Sequence, residues 1–403
     1  MAGKPVISGI VSEYNPFHAG HAALIEKTRL AGATHIVAVM SGNFVQRGEP
    51  AIFSKWARTR MALLSGADLV IELPLPWALS GAEHFAFGAV SLLHALGCVD
   101  SISFGSECGS SALLQNAAKA VLSPGLRQEL QQHLKSGATF AKARQAAIES
   151  LFDHETAMLL ESPNNILGIE YCKALIKLNS TITPFTVKRI GAQHDEKLES
   201  NSKEILLSSS QLREKIRAGE NISPFLPPAA AKIAKEEIAC GNAPADPARL
   251  ETALLAKLRG MSREEFGRLP DISEGLENRI YRAVREAVSL DDLYVKIKSK
   301  RYTHARIRRL IYSAFLGLQT DSIPPAPPYV RVLGFNESGK EILHLAKNTT
   351  NLPILTNSSD ILSLDKQVRS MLELECKSTD IFVLSLPHVR PCGLEMTTGI
   401  LTV

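Results

Sequence analysis

Residues Ile7–His21 read ISGIVSEYNPFHAGH, and the parsing of that stretch decides the fold. It begins as a short apolar β run through Val6, Ile7, Ile10 and Val11. A polar turn follows at Asn15 and Pro16, and the stretch closes on His18-Ala19-Gly20-His21. Apolar Ala22, Leu24 and Ile25 then mix with charged Glu26, Lys27 and Arg29, which predicts a helix. A strand that passes through a glycine-containing turn into a helix sets backbone N–H groups and a positive helix end against a phosphate. His18 and His21 stand at i and i+3, on one face of the first helical turn. Taken alone, the tetrapeptide also fits two surface histidines at a helix start. Its context favours a phosphate site, because it follows the first strand, opens a helix and precedes further β/α alternation.

Working outward, His35–Met40 (HIVAVM), Asp68–Leu73 (DLVIEL) and Asp100–Phe104 (DSISF) read as strands. Lys55–Leu64 and Ala82–Leu96 read as the helices between them, and Ser41–Phe53 as a polar loop. Continuous apolar strands alternating with helices imply a parallel, doubly wound sheet covered on both faces. Ligands of such sheets bind beyond the strand C-termini, at the switch point. The loops to inspect are Glu13–His21, Ser41–Gly48 and Gly105-Ser106-Glu107. Gly105 suits either backbone approach to a nucleotide or the turn alone. Arg47, Lys55 and Arg58 suit phosphate, carboxylate or RNA, or a solvated helix start.

Residues 110–160 read as helical, broken at Pro124-Gly125. Asn164 and Asn165 precede an apolar helical run, so they fit an N-cap or amide contacts to ribose or triphosphate. Pro184–Ile190 reads as a strand that carries Lys188 and Arg189 to the same sheet edge. In Leu207–Arg213 (LSSSQLR), serine hydroxyls at a helix start and Arg213 one turn on make a second phosphate cradle, or a plain serine cap. Residues 221–228 (NISPFLPP) read as a linker and 229–316 as helical. Within these, Tyr294–Arg309 (YVKIKSKRYTHARIRR) carries Lys296, Lys298, Lys300, Arg301, Arg306, Arg308 and Arg309 with no acid. Tyr294, Tyr302 and His304 are interleaved, a pattern for phosphates and unpaired bases, or for a solvated face. Ile323–Tyr329 reads as a second linker. Strands at Val330–Phe335 and Ile381–Leu386 and a helix near Ile361–Leu374 make a small α+β segment.

A chain of 403 residues predicts two or three domains: 1–220 α/β, 221–322 helical and basic, and 323–403 small α+β. At 45% apolar and 21% charged residues the composition is that of a soluble globular protein. A net charge of +4 permits a polyanionic partner without requiring one. No signal peptide or membrane-spanning run is visible, which predicts a cytoplasmic protein without a membrane partner. The six cysteines form no C-x-x-C, so they read as reduced, mostly buried packing residues rather than a zinc or disulfide framework.

The H-x-G-H tetrapeptide resembles the nucleotide-binding signature of the nucleotidylyltransferase and class I aminoacyl-tRNA synthetase superfamily. LSSSQLR resembles its second signature, I-S-S-T-x-I-R, with Ser210 for threonine and Leu212 for isoleucine. The runs GIVSEYNPFHAGH, MSGNFVQRGEPA, GADLVIELP, FGSE, SPNNILGIEY, VKRIG and KSKRYTHARIRRL, in that order, resemble the bacterial tRNA(Met) cytidine acetate ligase family. The resemblance implies an enzyme that uses ATP to activate acetate as acetyl-adenylate. The acetyl group then passes to N4 of the wobble cytidine, C34, in the anticodon loop of elongator tRNA(Met). It implies His18 and His21 as catalytic, flanking the α-phosphate, with Mg²⁺ on the phosphates. ATP contacts carry over to Ile7, Ser8, Gly9, Ile10, Val11, Ser12, Glu13, Tyr14, Asn15, Pro16, Phe17, His18, Ala19 and Gly20. They continue at Gly105, Asn164 (or its neighbour Asn165) and Arg189. Ser209 and Arg213 are expected on pyrophosphate, and Lys298, Lys300, Arg301 and Arg306 on tRNA. Ala19 departs from the asparagine or other polar residue expected there, without touching the histidines. Two other readings stay open from the residues alone. One is a nucleotidylyltransferase acting on a small phosphorylated acceptor; the other is a non-catalytic, nucleotide-sensing RNA-binding protein.

Overall fold

The computed structural model describes residues 4–137, 139–189, 207–273, 275–300, 302–357, 360 and 364–403. Arg301, Ile190 and Gly191 lie outside them, as does the expected helix start at Ile361.

Five parallel strands form the frame: β1 (Ile7–Ser12), β2 (His35–Ser41), β5 (Leu69–Leu73), β6 (Ser101–Ser106) and β7 (Thr183–Lys188). The expected loop 41–53 instead holds a buried two-stranded hairpin, β3 (Phe44–Val45) with β4 (Glu49–Pro50). In space the parallel strands run β5-β2-β1-β6-β7. The chain winds outward from β1 to one edge, then returns to β6 on the other side of β1. The switch point therefore lies between the C-terminal ends of β1 and β6, where such sheets bind ligands.

Alternation within the strands covers both faces. Val37, Val39, Leu69 and Ile71 pack on the side of helices Ala82–Leu96 and Pro163–Lys177. Ile36, Ala38, Met40 and Val70 pack on the other side, with helices Ala19–Leu30, Lys55–Leu63 and Pro228–Ala239. A third core fills the helices from Glu251 to Leu316 and reaches Phe44, Leu75 and Leu79 of the α/β part.

The expected C-terminal unit 323–403 does not stand apart. Strand β8 (Val330–Phe335) pairs antiparallel with β5, and the two-residue strands β9 (Ile354–Leu355) and β10 (Leu401–Thr402) pair parallel with β8. A lone short strand cannot bury its apolar face, whereas the open edge of β5 supplies both backbone partners and a core. Ile381–Leu386, expected as a strand, is the end of helix Lys366–Phe382 followed by a 3₁₀ turn at Val383–Ser385. Short apolar runs fit either period; here Phe382 and Val383 complete the helical core.

A buried ionic cluster ties this C-terminal segment to the first half of the chain. Lys55 Nζ sits 2.7 Å from Glu72 and in hydrogen-bond contact with Glu395, and Arg331 Nη2 lies 2.9 Å from Glu395. Glu375 accepts the Leu75 N–H, and Asn43 donates to Thr379 at 3.0 Å. Lys55 and Arg58 are therefore not a solvated helix start. Both are fully buried, and Arg58 donates to the carbonyls of Glu13, Ser41, Gly42 and Phe53. All six cysteines are free, but only Cys172 is buried; Cys240 and Cys392 are exposed, against the expectation of packing residues. No helix among the described residues is long and apolar enough to cross a membrane.

Candidate active site

The turn after β1 is held rigidly. Tyr14 takes a left-handed backbone (φ 46°), which few side-chain-bearing residues adopt. Its N–H is held by Ser12 Oγ at 3.1 Å, and its ring meets the edge of His21 at a centroid distance of 4.9 Å. Asn15 Oδ1 accepts from Ile52 N (2.8 Å), and the Asn15 carbonyl accepts from Arg213 Nη1 (2.9 Å).

The two histidines do not both lie within the helix. His18 is the N-cap of helix Ala19–Leu30 and His21 is its third residue. His18 Nδ1 accepts from Gly20 N at 3.1 Å, and His21 Nδ1 accepts the His18 N–H at 3.2 Å. Two imidazoles thus perform the reciprocal capping usually done by a serine and a glutamate. The rings stack at 3.9 Å, with 29° between planes. Because each Nδ1 accepts a backbone N–H, each neutral ring carries its proton on Nε2 and presents it as a donor. His18 Nε2 lies 3.0 Å from Ser209 Oγ. Gly20 has a reason beyond nucleotide access: a Cβ there would sit 2.9 Å from the His18 ring.

Burial, reinforced by the nearby Arg189 charge, pushes the His18 imidazole down to about 4. Burial, His18 and Arg189 hold His21 well below the usual histidine range. Both rings are therefore neutral donors at pH 7 in the nucleotide-free protein. In a histidine-labelled sample, the His18 ring resonance should titrate near pH 4, and His21 should stay neutral through pH 6. Midpoints near 6.5 for both would contradict this electrostatic account.

Gly105 closes β6 beside the same turn. A Cβ on it would meet Arg189 Cγ at 3.1 Å, so Arg189, exposed at the end of β7, lies across that glycine. Next to it, Glu107 caps helix Pro163–Lys177 by accepting from Asn164 N (3.3 Å) and Asn165 N (2.8 Å). Asn165 Oδ1 answers by accepting from Glu107 N and Cys108 N. The asparagines are therefore not the N-cap, a position held by Ser162. Asn165 is buried in this clasp, while half-buried Asn164 donates Nδ2 to Glu107 at 2.7 Å.

The second signature splits into different tasks. Ser208, not Ser209, caps helix Ser209–Arg217, with Gln211 completing its capping box. That frees Ser209 for His18. Arg213, expected on pyrophosphate, is 4% exposed and engaged by the Asn15 carbonyl, Ser210 Oγ (3.3 Å) and Glu49 (3.3 Å). Its task is to anchor the β1 turn. Glu13, expected among the ATP contacts, turns its carboxylate to Gln46 N, accepting at 2.9 Å; burial raises its pKa, and Arg47 opposes that. Among the described residues no three His, Cys, Asp or Glu side chains gather to hold a metal ion.

The basic segment is two helices, Leu290–Ile297 and His304–Leu316, not one face. Lys296 pairs with Asp292 at 2.6 Å. Lys298 Nζ donates to the Ser299 carbonyl (2.7 Å), and Arg306 to the Asp271 carbonyl (2.8 Å) and Ser273 Oγ (2.7 Å). Of these only Arg306 is held by groups distant in sequence; Lys296 and Lys298 are held by neighbours four and one residues away. Tyr302 is 7% exposed and lies under Arg306, so its ring is packing rather than a base platform. Lys300 and Arg308 remain exposed. This segment touches the first site directly: Arg309 Nη1 reaches the Gln46 carbonyl at 3.2 Å, and Gln46 N holds Glu13. Gly48 (φ 76°) permits the approach, since a Cβ there would lie 2.6 Å from Arg309 N.

With this geometry in hand, similarity to known proteins is informative. A family model described as HIGH Nucleotidyl Transferase matches residues 6–393. A tRNA(Met) cytidine acetate ligase of Thermoanaerobacter sp. (strain X514) is 41% identical over 397 residues, covering 96% of this chain and 98% of that protein. One of Acetivibrio thermocellus is 37% identical over 414 residues, covering 98% and 99%. A crystal structure of Thermotoga maritima TmcAL bound with alpha-thio ATP superposes with a TM-score of 0.91 at 33% identity. It covers 98% of this chain and 99% of that one.

Proposed function

The chain belongs to the tRNA(Met) cytidine acetate ligase family, and from that premise we propose how its residues divide the work. It is an ATP-dependent ligase that joins acetate to a cytidine of tRNA(Met). An acetate oxygen attacks the α-phosphorus, and the bond from that phosphorus to the bridging oxygen breaks. Pyrophosphate leaves and acetyl-adenylate remains. The exocyclic N4 amine of the wobble cytidine then attacks the acetyl carbonyl, and AMP departs. An attacking base must be splayed from a single-stranded loop, which fits the anticodon.

The observation that carries this reading is the stacked imidazole pair at the switch point. Both Nε2–H donors are oriented by the cap before substrate arrives, and charge builds on the α-phosphate oxygens only in the transition state. Donors fixed in advance cost no reorganisation then. The positive helix end adds to them. Arg189, lying over Gly105, holds departing pyrophosphate, and Ser209 Oγ occupies the His18 Nε2–H until an α-phosphate oxygen takes its place. Asn164 rather than buried Asn165 faces the nucleotide. The hairpin contact from Gln46 to Arg309 brings the basic helices beside the adenylate, so the cytidine and the activated acetyl group meet across Glu13 and Gln46. Residues 1–220 thus serve activation, and 221–322, with Lys300 foremost, serve tRNA. The experiment is incubation with ATP, labelled acetate and bulk tRNA. Label should enter one cytidine, at the anticodon wobble position of tRNA(Met), and pyrophosphate should form in equal amount. Label elsewhere in the tRNA, or none, would overturn the reading.

A further inference from the structure

Helix Leu276–Glu286 buries Leu276, Ile280, Ala283 and Val284 in the helical core. Its opposite face, with Arg263 from the preceding helix, lines a shallow open cavity of about 330 Å³ formed by Arg263, Asn278, Tyr281, Arg282, Arg285 and Glu286. Three guanidinium groups face one carboxylate there. The Arg285 guanidinium lies on the Tyr281 ring, 3.4 Å from its centroid. Backbone carbonyls fix it in that pose: Nη1 donates to Tyr281 O (3.2 Å) and Nη2 to Met261 O (3.4 Å). Arg263 Nη1 is steadied by Asn278 Oδ1 at 3.3 Å. Arg282 is exposed and makes no hydrogen bond or ion pair with the described residues.

We propose that this cavity is a second tRNA-binding subsite, which takes the sugar–phosphate backbone of the substrate outside the reacting cytidine. The proposal rests on the tRNA ligase reading above. A pre-positioned, planar guanidinium with a free neighbour one turn away suits the paired oxygens of a phosphate. The openness of the cavity suits a chain that continues on either side rather than an enclosed small molecule. It is also continuous with the first RNA surface. Arg279 of the same helix donates to the carbonyls of Ile297 (2.6 Å) and Lys298 (2.8 Å), the turn that carries Lys300. From Arg279 to Arg285 the helix rises about 9 Å, so one cationic ridge joins turn and cavity. This cluster is invisible to a search for unbroken basic runs, because Arg279, Arg282 and Arg285 are separated in sequence by Ile280, Tyr281, Ala283 and Val284.

The test is tRNA affinity of the full chain at several salt concentrations, beside acetate-dependent ATP–pyrophosphate exchange, which needs no tRNA. In the Arg282→Ala, Arg285→Ala double variant, Kd for tRNA should rise roughly tenfold. The slope of log K against log salt should shrink by about 2, one for each phosphate that is no longer neutralised. Exchange should stay at the wild-type rate. Arg282→Ala alone, at an exposed residue without a hydrogen bond or ion pair to the described residues, should shrink the slope by about 1 even if the double variant is unstable. Unchanged affinity and slope would overturn the subsite. So would loss of tripolyphosphate binding with tRNA affinity intact, which would assign the cavity to a free anion. Absence of acetate-dependent exchange in the wild-type protein would instead sink the ligase reading and leave the binding result to be judged separately.

Discussion

Replacing His21 with alanine should slow acetate-dependent ATP–pyrophosphate exchange by roughly a hundredfold or more. The Nε2–H of His21 is a neutral donor fixed by the His18 N–H on its other nitrogen. Its contribution grows as charge moves onto the α-phosphate, so the loss falls on the rate far more than on the KM for ATP. Alanine also removes one half of a helix cap, which costs about 1 kcal/mol. His21→Glu separates the two effects, since glutamate at that helix position can still accept the His18 N–H but offers no donor. Both variants should fold, and both should be slow. Near-normal exchange in either would remove His21 from the chemistry.

The second large effect concerns stability. Lys55→Met should destabilise the protein by about 3–5 kcal/mol, the usual result of stripping one partner from a buried ion cluster. The side chain of Lys55 is wholly buried. Burial alone would discharge it, but Glu395 and Glu72 outweigh that and keep it charged. Glu375 is the counter-example in the same cluster. Burial, with Glu72 nearby, pushes its carboxyl up to about 8, so at pH 7 it is protonated. Two cations, Lys55 and Arg331, then face two anions, Glu72 and Glu395. Because the folded-state value of Glu375 is raised, its contribution to stability is complete below about pH 4.5 and is lost as pH rises through about 8. Glu375→Gln should therefore be nearly neutral near pH 4.5 and increasingly more stable than the wild type as pH rises to 8. Urea midpoints at the two pH values measure both variants. An unchanged midpoint for Lys55→Met, or a large loss for Glu375→Gln at pH 8, would contradict this charge assignment.

Much of the α/β frame was legible because local pattern and tertiary role agree there. β1, β2 and β5 are mainly apolar and largely buried, and their ends are marked by His-x-Gly-His, Gly42 and Pro74. The position of the histidines followed from that frame, and the switch point needed only the order of the strands. What stayed hidden depends on partners far away in sequence. Arg213 reads as a free phosphate ligand until Glu49 and the Asn15 carbonyl are seen beside it. Arg306 reads as a free RNA contact until the Asp271 carbonyl and Ser273 Oγ are seen to hold it. Asn164 and Asn165 sit where a cap is expected, yet Glu107, 57 residues away, caps that helix for them. Val330–Phe335 is plainly a strand, but nothing local says that it closes the edge of β5. Ile381–Leu386 shows the converse failure, an apolar run too short for its period to be read.

The central claim is that two neutral imidazoles, locked by their own helix cap, grip the phosphorus at which the adenylate forms. A crystal structure of this protein with a non-hydrolysable ATP analogue measures it most directly. The account predicts Nε2 of both His18 and His21 within about 3 Å of α-phosphate oxygens, with the His18–Gly20 and His18–His21 cap contacts unchanged. An α-phosphate bound elsewhere, out of reach of both rings, would contradict it.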